Sequence, residues 1–166
     1  MNPGCALFRE GPASAILHPL RPPLEYMIGL LLSLAVAGLA ALVGFDRDRS
    51  FYPTVLMVIA SYYVLFAVMG ASQGTLWIEI AIACGFSLFA ILGFKRSLWL
   101  VVAALVAHGI FDFVHHRFIE NPGVPHWWPG FCLAFDGVLG AFLAQRLLTR
   151  PNDSPIIPSL RHDRTV

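Results

Sequence analysis

The sequence predicts an all-α protein, an integral membrane bundle of about five transmembrane helices. Two observations carry that expectation. Of its 166 residues, 57% are hydrophobic and only 13% charged, with mean hydropathy +0.70, against about 25% charged residues in an ordinary soluble domain. The apolar residues also gather into five runs of about 20 residues each. At 1.5 Å per residue, such a run crosses a hydrocarbon core of roughly 30 Å. Backbone polar groups in lipid must be satisfied within their own segment, which makes each run a helix.

Residues 1–23 contain Pro3, Pro12, Pro19, Pro22 and Pro23 and read as a flexible extracytoplasmic segment. No basic stretch directly precedes a short apolar core there, so the segment does not read as a cleavable signal peptide. The transmembrane domain is expected over 24–148, with spans at 24–45, 52–71, 75–94, 97–116 and 130–148. The links 46–51, 71–74 and 95–96 are short, so consecutive helices are expected to pack antiparallel as neighbours. The link 117–129 is longer and carries Asn121-Pro122-Gly123 and His126-Trp127-Trp128-Pro129. Its tryptophans suit a membrane interface, and a lid over a site facing the same side is the sharper reading. Residues 151–166 are polar, hold Pro151, Pro155 and Pro158, and read as a flexible cytoplasmic tail.

Smaller features add little chemistry. Gly70, Gly74, Gly85, Gly93, Gly137 and Gly140 are expected to permit close helix packing. Cys5, Cys84 and Cys132 form neither a CxxC motif nor a disulfide framework, and Cys84 reads as plain helix packing. A net charge of +1 provides no electrostatic footprint for nucleic acid, so the expected surroundings are the lipid bilayer alone.

Orientation follows from Lys and Arg. One side holds Arg9, Arg21 and Arg117. The other holds Arg47, Arg49, Lys95, Arg96, Arg146, Arg150, Arg161 and Arg164. Eight against three predicts a cell-membrane protein with its C-terminus in the cytoplasm and its N-terminus outside.

Ionisable groups at membrane depth cost at least about 2.5–3.5 kcal/mol each on insertion scales, so they mark function. Here they are Glu79 in the third span, His108 and Asp112 in the fourth, and Asp136 in the fifth, with His115 and His116 ending the fourth. Counting along antiparallel neighbours puts Glu79, Asp112 and Asp136 in one layer near the outer face, with Tyr63 and Phe66 beside Glu79 and Tyr62 slightly deeper. On a helical wheel His108, Asp112, His115 and His116 share one stripe. His108 and Asp112 stand four residues apart and can share an ion, as can Asp112 with His115 or His116. His108 and His116 are about 12 Å apart along the axis and cannot. Asp112 is therefore the residue that reaches both ends, and a single ion must choose one.

The metal reading takes His108, Asp112, His115 and His116 as candidate ligands, with Glu79 and Asp136 as further ligands or as the carboxylate base. A His/carboxylate set suits zinc or iron better than copper(I), which prefers sulfur. Two other readings stand beside it. In one, Glu79, Asp112 and Asp136 pass protons or a cation across the membrane. In the other, the groups neutralise one another: His108 and Asp112 form a buried hydrogen-bonded pair, Glu79 and Asp136 are protonated or bonded to Tyr62 or Tyr63, and the chain is a non-catalytic membrane subunit.

Region 58–148 carries Tyr63 with Gly70, Trp77 and Glu79. It then runs HGxxDxxHH from His108 to His116, followed by Asn121-Pro122, Pro129, Cys132 and Asp136. This set resembles a family of small bacterial and archaeal multi-pass membrane proteins defined as a domain of unknown function. The resemblance implies a site and no particular activity. The run departs from the HxxHH pattern of membrane desaturases and hydroxylases, because Asp112 stands where that motif has its first histidine. The alkaline ceramidase-like superfamily offers an analogy of intramembrane His and Asp zinc ligands, though on seven helices. Together these features favour an outward-facing, metal-dependent membrane hydrolase acting on a lipid or other apolar substrate. A polar path through the cytoplasmic half, which a transporter would need, is almost absent.

Overall fold

The computed structural model describes residues 24–149. The expectations for 1–23 and 151–166, and those involving Cys5, Arg9, Arg21, Arg150, Arg161 and Arg164, fall outside these residues. Among the described residues there are five long helices and no strand: α1 (Leu24–Val43), α2 (Phe51–Gly70), α3 (Gln73–Lys95), α4 (Leu98–His115) and α5 (Trp128–Thr149), with a 3-10 turn at Phe45–Arg47 between α1 and α2. All five are long and apolar enough to cross a membrane. Helices of 18 to 23 residues reach about 27–35 Å, which matches the hydrocarbon core.

The helix ends follow local chemistry. Gly44 has φ 88°, the left-handed conformation that terminates a helix and that glycine adopts without a Cβ penalty. It closes α1 earlier than the expected 45 and turns the chain into the 3-10 segment. Ser72 caps α3 by accepting from the Thr75 backbone N–H, and Ser97 caps α4 by accepting from Trp99, the usual role of serine at a helix start. In the α1–α2 turn, Asp48 Oδ1 accepts from the Ser50 backbone N–H at 2.9 Å. That bond stabilises the carboxylate and holds its pKa below the usual range.

The packing is that of a membrane protein. Leu31, Leu65, Val68, Ile78 and Ile110 are each at least half exposed, while Glu79, Asp112 and Asp136 are 0% exposed. Apolar side chains face the lipid and the charged groups hide among the helices. Leu56, Val101, Leu105 and Leu139 fill the core.

The neighbour relations differ from the expected serial order at one point. α2 packs on α3, α3 on α4 and α4 on α5, but α1 packs on α5 and barely meets α2. Gly29 explains this: a Cβ there would collide with the Phe131 carbonyl oxygen of α5, so only glycine lets α1 press so close. Similar tight contacts occur at Gly93, against Val101, and at Gly109, against Asp136 and Leu133. Gly140 makes ordinary contact with Val106. By contrast, a Cβ at Gly70, Gly85 or Gly137 would meet nothing within 4 Å, and at Gly74 only the Ser72 hydroxyl. Those four glycines therefore do not serve helix packing. Nor does Cys84, which is exposed on α3.

The basic end of the bundle is tied together by side chains. Buried Asp46 in the 3-10 turn pairs with Arg146 of α5. Arg49 donates to the carbonyls of Phe94 and Gly93 at the end of α3. Arg146 and Arg49 therefore have structural partners. These contacts place Arg47, Arg49, Lys95, Arg96 and Arg146 at one end of the bundle, with Arg117 in the loop at the other.

Candidate metal centre

Helix α4 builds the site. Positions 108, 112 and 115 lie on one helical face, and all three side chains are buried. Gly109, beside them, lets α5 approach. A Cβ there would lie 3.2 Å from the Asp136 Cβ and 3.3 Å from the Leu133 Cα. The approach brings His108 Nδ1 to 2.8 Å from Asp136 Oδ2 and leaves it 3.5 Å from Asp112 Oδ2. From α3, Phe86 holds the His108 ring edge-on, with centroids 4.7 Å apart at 78°. One ligand atom each from His108, Asp112 and Asp136 lies within 4.8 Å of the others, and all three residues are buried.

A second cluster sits one helical turn nearer the loop. His115 Nε2 is 2.8 Å from Glu79 Oε1, and Asn121 Nδ2 donates to the same oxygen at 2.9 Å and to the Tyr63 carbonyl at 3.3 Å. Tyr63 links the two clusters. Its ring packs on His115 with centroids 4.4 Å apart. Its hydroxyl neighbours Asp112 without reaching hydrogen-bond geometry, and the Cys132 thiol is a further neighbour of Asp112.

Buried polar atoms in native proteins almost always have partners. Here both Asp112 oxygens, Asp136 Oδ1, Glu79 Oε2 and the Tyr63 hydroxyl are buried without a hydrogen bond. Carboxylates buried this way need a counter-charge or a proton. Three of the five unsatisfied atoms belong to the group that also has ligand spacing. Two donors bonded to one zinc at about 2.0–2.2 Å sit roughly 3.3–3.6 Å apart at a tetrahedral angle. The 3.5 Å separation matches that spacing, whereas the 2.8 Å contact would have to open by about 0.5 Å or more. Three protein ligands would leave a fourth tetrahedral position open, the pattern of catalytic rather than structural zinc sites.

Each residue singled out in the sequence has a definite place. Asp112 sides with His108 instead of bridging both ends of the stripe, because α5 delivers Asp136 to that end. Asp136, expected as a ligand or a spare base, stands within the ligand-spaced group. Glu79 is engaged by His115 and Asn121, and neither Asp136 nor Glu79 bonds a tyrosine hydroxyl. His116 stands apart: α4 ends at His115, and His116 is its exposed C-cap. It lines a cavity of about 700 Å³ at the loop end, together with His115, Glu120, Asn121, His126 and Glu25.

No family model, curated protein or solved structure matches this chain. What the site can do therefore rests on its geometry.

Asn121 joins the second buried cluster, although the sequence does not single it out among the site residues. It lies in the long loop, is 9% exposed, and supplies two donors to the interior. Its signals are the place of Asn121-Pro122 in the resembling set and a hydrogen-bonding side chain beside Pro122 and Gly123. The loop does cover the second cluster. A Cβ at Gly123 would collide with the Phe66 carbonyl oxygen, so loop and α2 are in backbone contact.

Proposed function

We propose that this chain is a multi-pass membrane metalloenzyme, a hydrolase of lipid or other apolar substrates, with a metal ion held by His108, Asp112 and Asp136. The observation that carries the reading is the set of buried, unsatisfied Asp112 and Asp136 oxygens converging with His108 Nδ1 at ligand spacing. Zinc is the favoured ion. The facial triad of non-haem iron needs two imidazoles and one carboxylate, and here the second imidazole, His115, is bonded to Glu79.

Such a metal supplies an activated water and polarises the scissile carbonyl. The chain's own residues do the rest. Glu79 accepts from the His115 Nε2–H, which leaves Nδ1 to take a proton from the attacking water and return it to the leaving group. The water oxygen adds to the carbonyl carbon, the acyl–oxygen or acyl–nitrogen bond breaks, and the proton leaves on the alcohol or amine. Asn121 keeps Glu79 oriented.

A transport reading finds less support. Among the described residues no buried His, Asp or Glu lies between the level of Asp136 and the basic end, and Leu56, Val101 and Leu143 fill the interior there. The next buried charge, Asp46, is paired with Arg146 at the far end. Basic residues cluster at that far end, so the positive-inside rule puts the site toward the outside. A periplasmic or extracellular signal from a C-terminal reporter fusion overturns that orientation.

Elemental analysis of the full chain, purified in detergent without chelators, tests the central claim. About one zinc per chain is expected. A chain free of transition metal overturns the reading.

A further inference from the structure

The bundle has a gap in its wall. Because α1 leans on α5 and barely meets α2, a lateral cleft of about 660 Å³ opens between α1 and α2, floored by α5. Its volume falls within the roughly 300–1,000 Å³ of small-molecule sites. Leu32 and Val36 form one wall, Val55, Val58 and Tyr62 the other, and Phe131 with Phe135 the floor. Its polar side chains are Asp48, Ser50 and Thr54 at the basic end and Tyr62, Trp128 and Cys132 toward the other.

We propose that this cleft binds one acyl chain of a membrane lipid, entering sideways from the bilayer. Three facts select that occupant. The cleft runs along α2 from Ser50 to Tyr62, about 18 Å at 1.5 Å per residue, slightly more than one leaflet's half of a roughly 30 Å hydrocarbon core. Its walls are mostly hydrocarbon and offer water few partners, and an empty apolar void would forfeit dispersion contacts. The helices that frame it present Leu31, Leu39, Leu65 and Val68 outward as lipid-facing surface, so the medium at its mouth is hydrocarbon.

The cleft also leads to the centre. Cys132 lines the floor and is the neighbour of Asp112, so one side chain separates the bound acyl chain from a candidate ligand. This names the substrate class of the hydrolase reading as acyl-chain lipids. Binding itself rests on the five membrane spans and needs no metal.

The test uses the full chain in phosphatidylcholine vesicles doped with phosphatidylcholine bearing a diazirine on one acyl chain. After irradiation, mass spectrometry maps the adducts. Adducts at Val55, Val58 and Phe131 are expected several-fold above those at the open-face residues Leu31, Val68 and Ile110. One phosphatidylcholine is expected to remain per chain through detergent extraction. Val58→Trp and, separately, Leu32→Trp fill the cleft from its rim, where a larger side chain disturbs no buried core. Each should abolish the retained lipid and the cleft adducts while open-face adducts persist. His108→Ala removes a metal ligand and should leave lipid retention unchanged, so loss of metal and loss of lipid are read separately. Adducts spread evenly over all faces, or none in the cleft while the open faces label, overturn the proposal. In the second case protein, from residues 1–23 or a second copy, fills the cleft.

Discussion

His108 on α4 and Asp136 on α5 meet at 2.8 Å between Nδ1 and Oδ2 in a layer otherwise closed to solvent. The contact exists because Gly109 gives α5 no Cβ to climb over. A hydrogen bond to a charged group contributes about 1.5–3 kcal/mol, yet it satisfies only one of four carboxylate oxygens in this layer, counting Asp112 and Asp136 together. The remaining three lack hydrogen bonds, and that imbalance supports the proposed ion over a merely structural polar pair.

The first prediction separates ligands from their neighbours. Asp112→Asn keeps the side chain's volume and removes its charge, so zinc content should fall to near zero in protein purified without chelators. Glu79→Gln alters a group that bonds His115 and Asn121 rather than the ligand set. It should weaken zinc affinity by no more than about 10–100-fold, the range for outer partners, while any hydrolytic rate falls about 10²–10⁴-fold. Equal zinc loss in both variants would place Glu79 in the coordination sphere and sink the assignment of roles.

A second prediction concerns sulfur. Cys132 is 1% exposed and adjoins Asp112, yet it falls outside the ligand-spaced group. X-ray absorption at the zinc edge should show only nitrogen and oxygen neighbours near about 2.0–2.2 Å. A sulfur shell near about 2.3 Å would make Cys132 a ligand and exclude the present donor set.

The sequence exposes some of this arrangement and hides the rest for physical reasons. Span length and hydropathy reveal five helices because the bilayer imposes both. Counting along α4 and α5 brings Asp112 level with Asp136, since the two helices are antiparallel neighbours. Periodicity puts His108, Asp112 and His115 on one stripe, but it cannot say which neighbour faces each part of that stripe. Contacts distant in sequence settle that. Gly109 admits Asp136 to His108, and Asn121, far along the loop, completes the Glu79–His115 pair. The displacement of α1 onto α5 was hidden for the same reason. A short link suggests neighbours, whereas Gly29 against the Phe131 carbonyl decides otherwise.

A third prediction tests the clasp at the basic end. Asp46 is 3% exposed, while the Arg146 side chain is 34% exposed, so the two are not equivalent. Arg146→Met leaves a buried carboxylate without its counter-charge and should destabilise the fold by about 3–5 kcal/mol. Asp46→Asn leaves an arginine that can turn to water and headgroups, and should cost less. The double variant should recover much of the loss. Thermal denaturation in detergent reads all three, and equal losses for the two single variants would refute the asymmetry.

A fourth prediction addresses the loop as a cover. Gly123 lies against the backbone of Phe66, where an added Cβ would strike the carbonyl oxygen and come within 2.8 Å of the carbonyl carbon. Neither partner is a flexible side chain, so Gly123→Ala must lift the loop, at about 1–3 kcal/mol for overpacking of this kind. Asn121 lies two residues away, and its Oδ1 accepts from the Gly123 N–H at 3.3 Å. Lifting the loop therefore withdraws both Asn121 donors from Glu79 and Tyr63. Limited proteolysis from the loop side should cut Gly123→Ala between residues 116 and 127 well before the unaltered protein. Asn121→Ala should reproduce the effect by releasing the loop from below. Pro122→Ala, at an exposed position, should not. Zinc content should stay within about tenfold of normal in all three, because His108, Asp112 and Asp136 are carried by α4 and α5. If Gly123→Ala resists the protease as well as the unaltered chain, the loop is not seated on α2 through this contact.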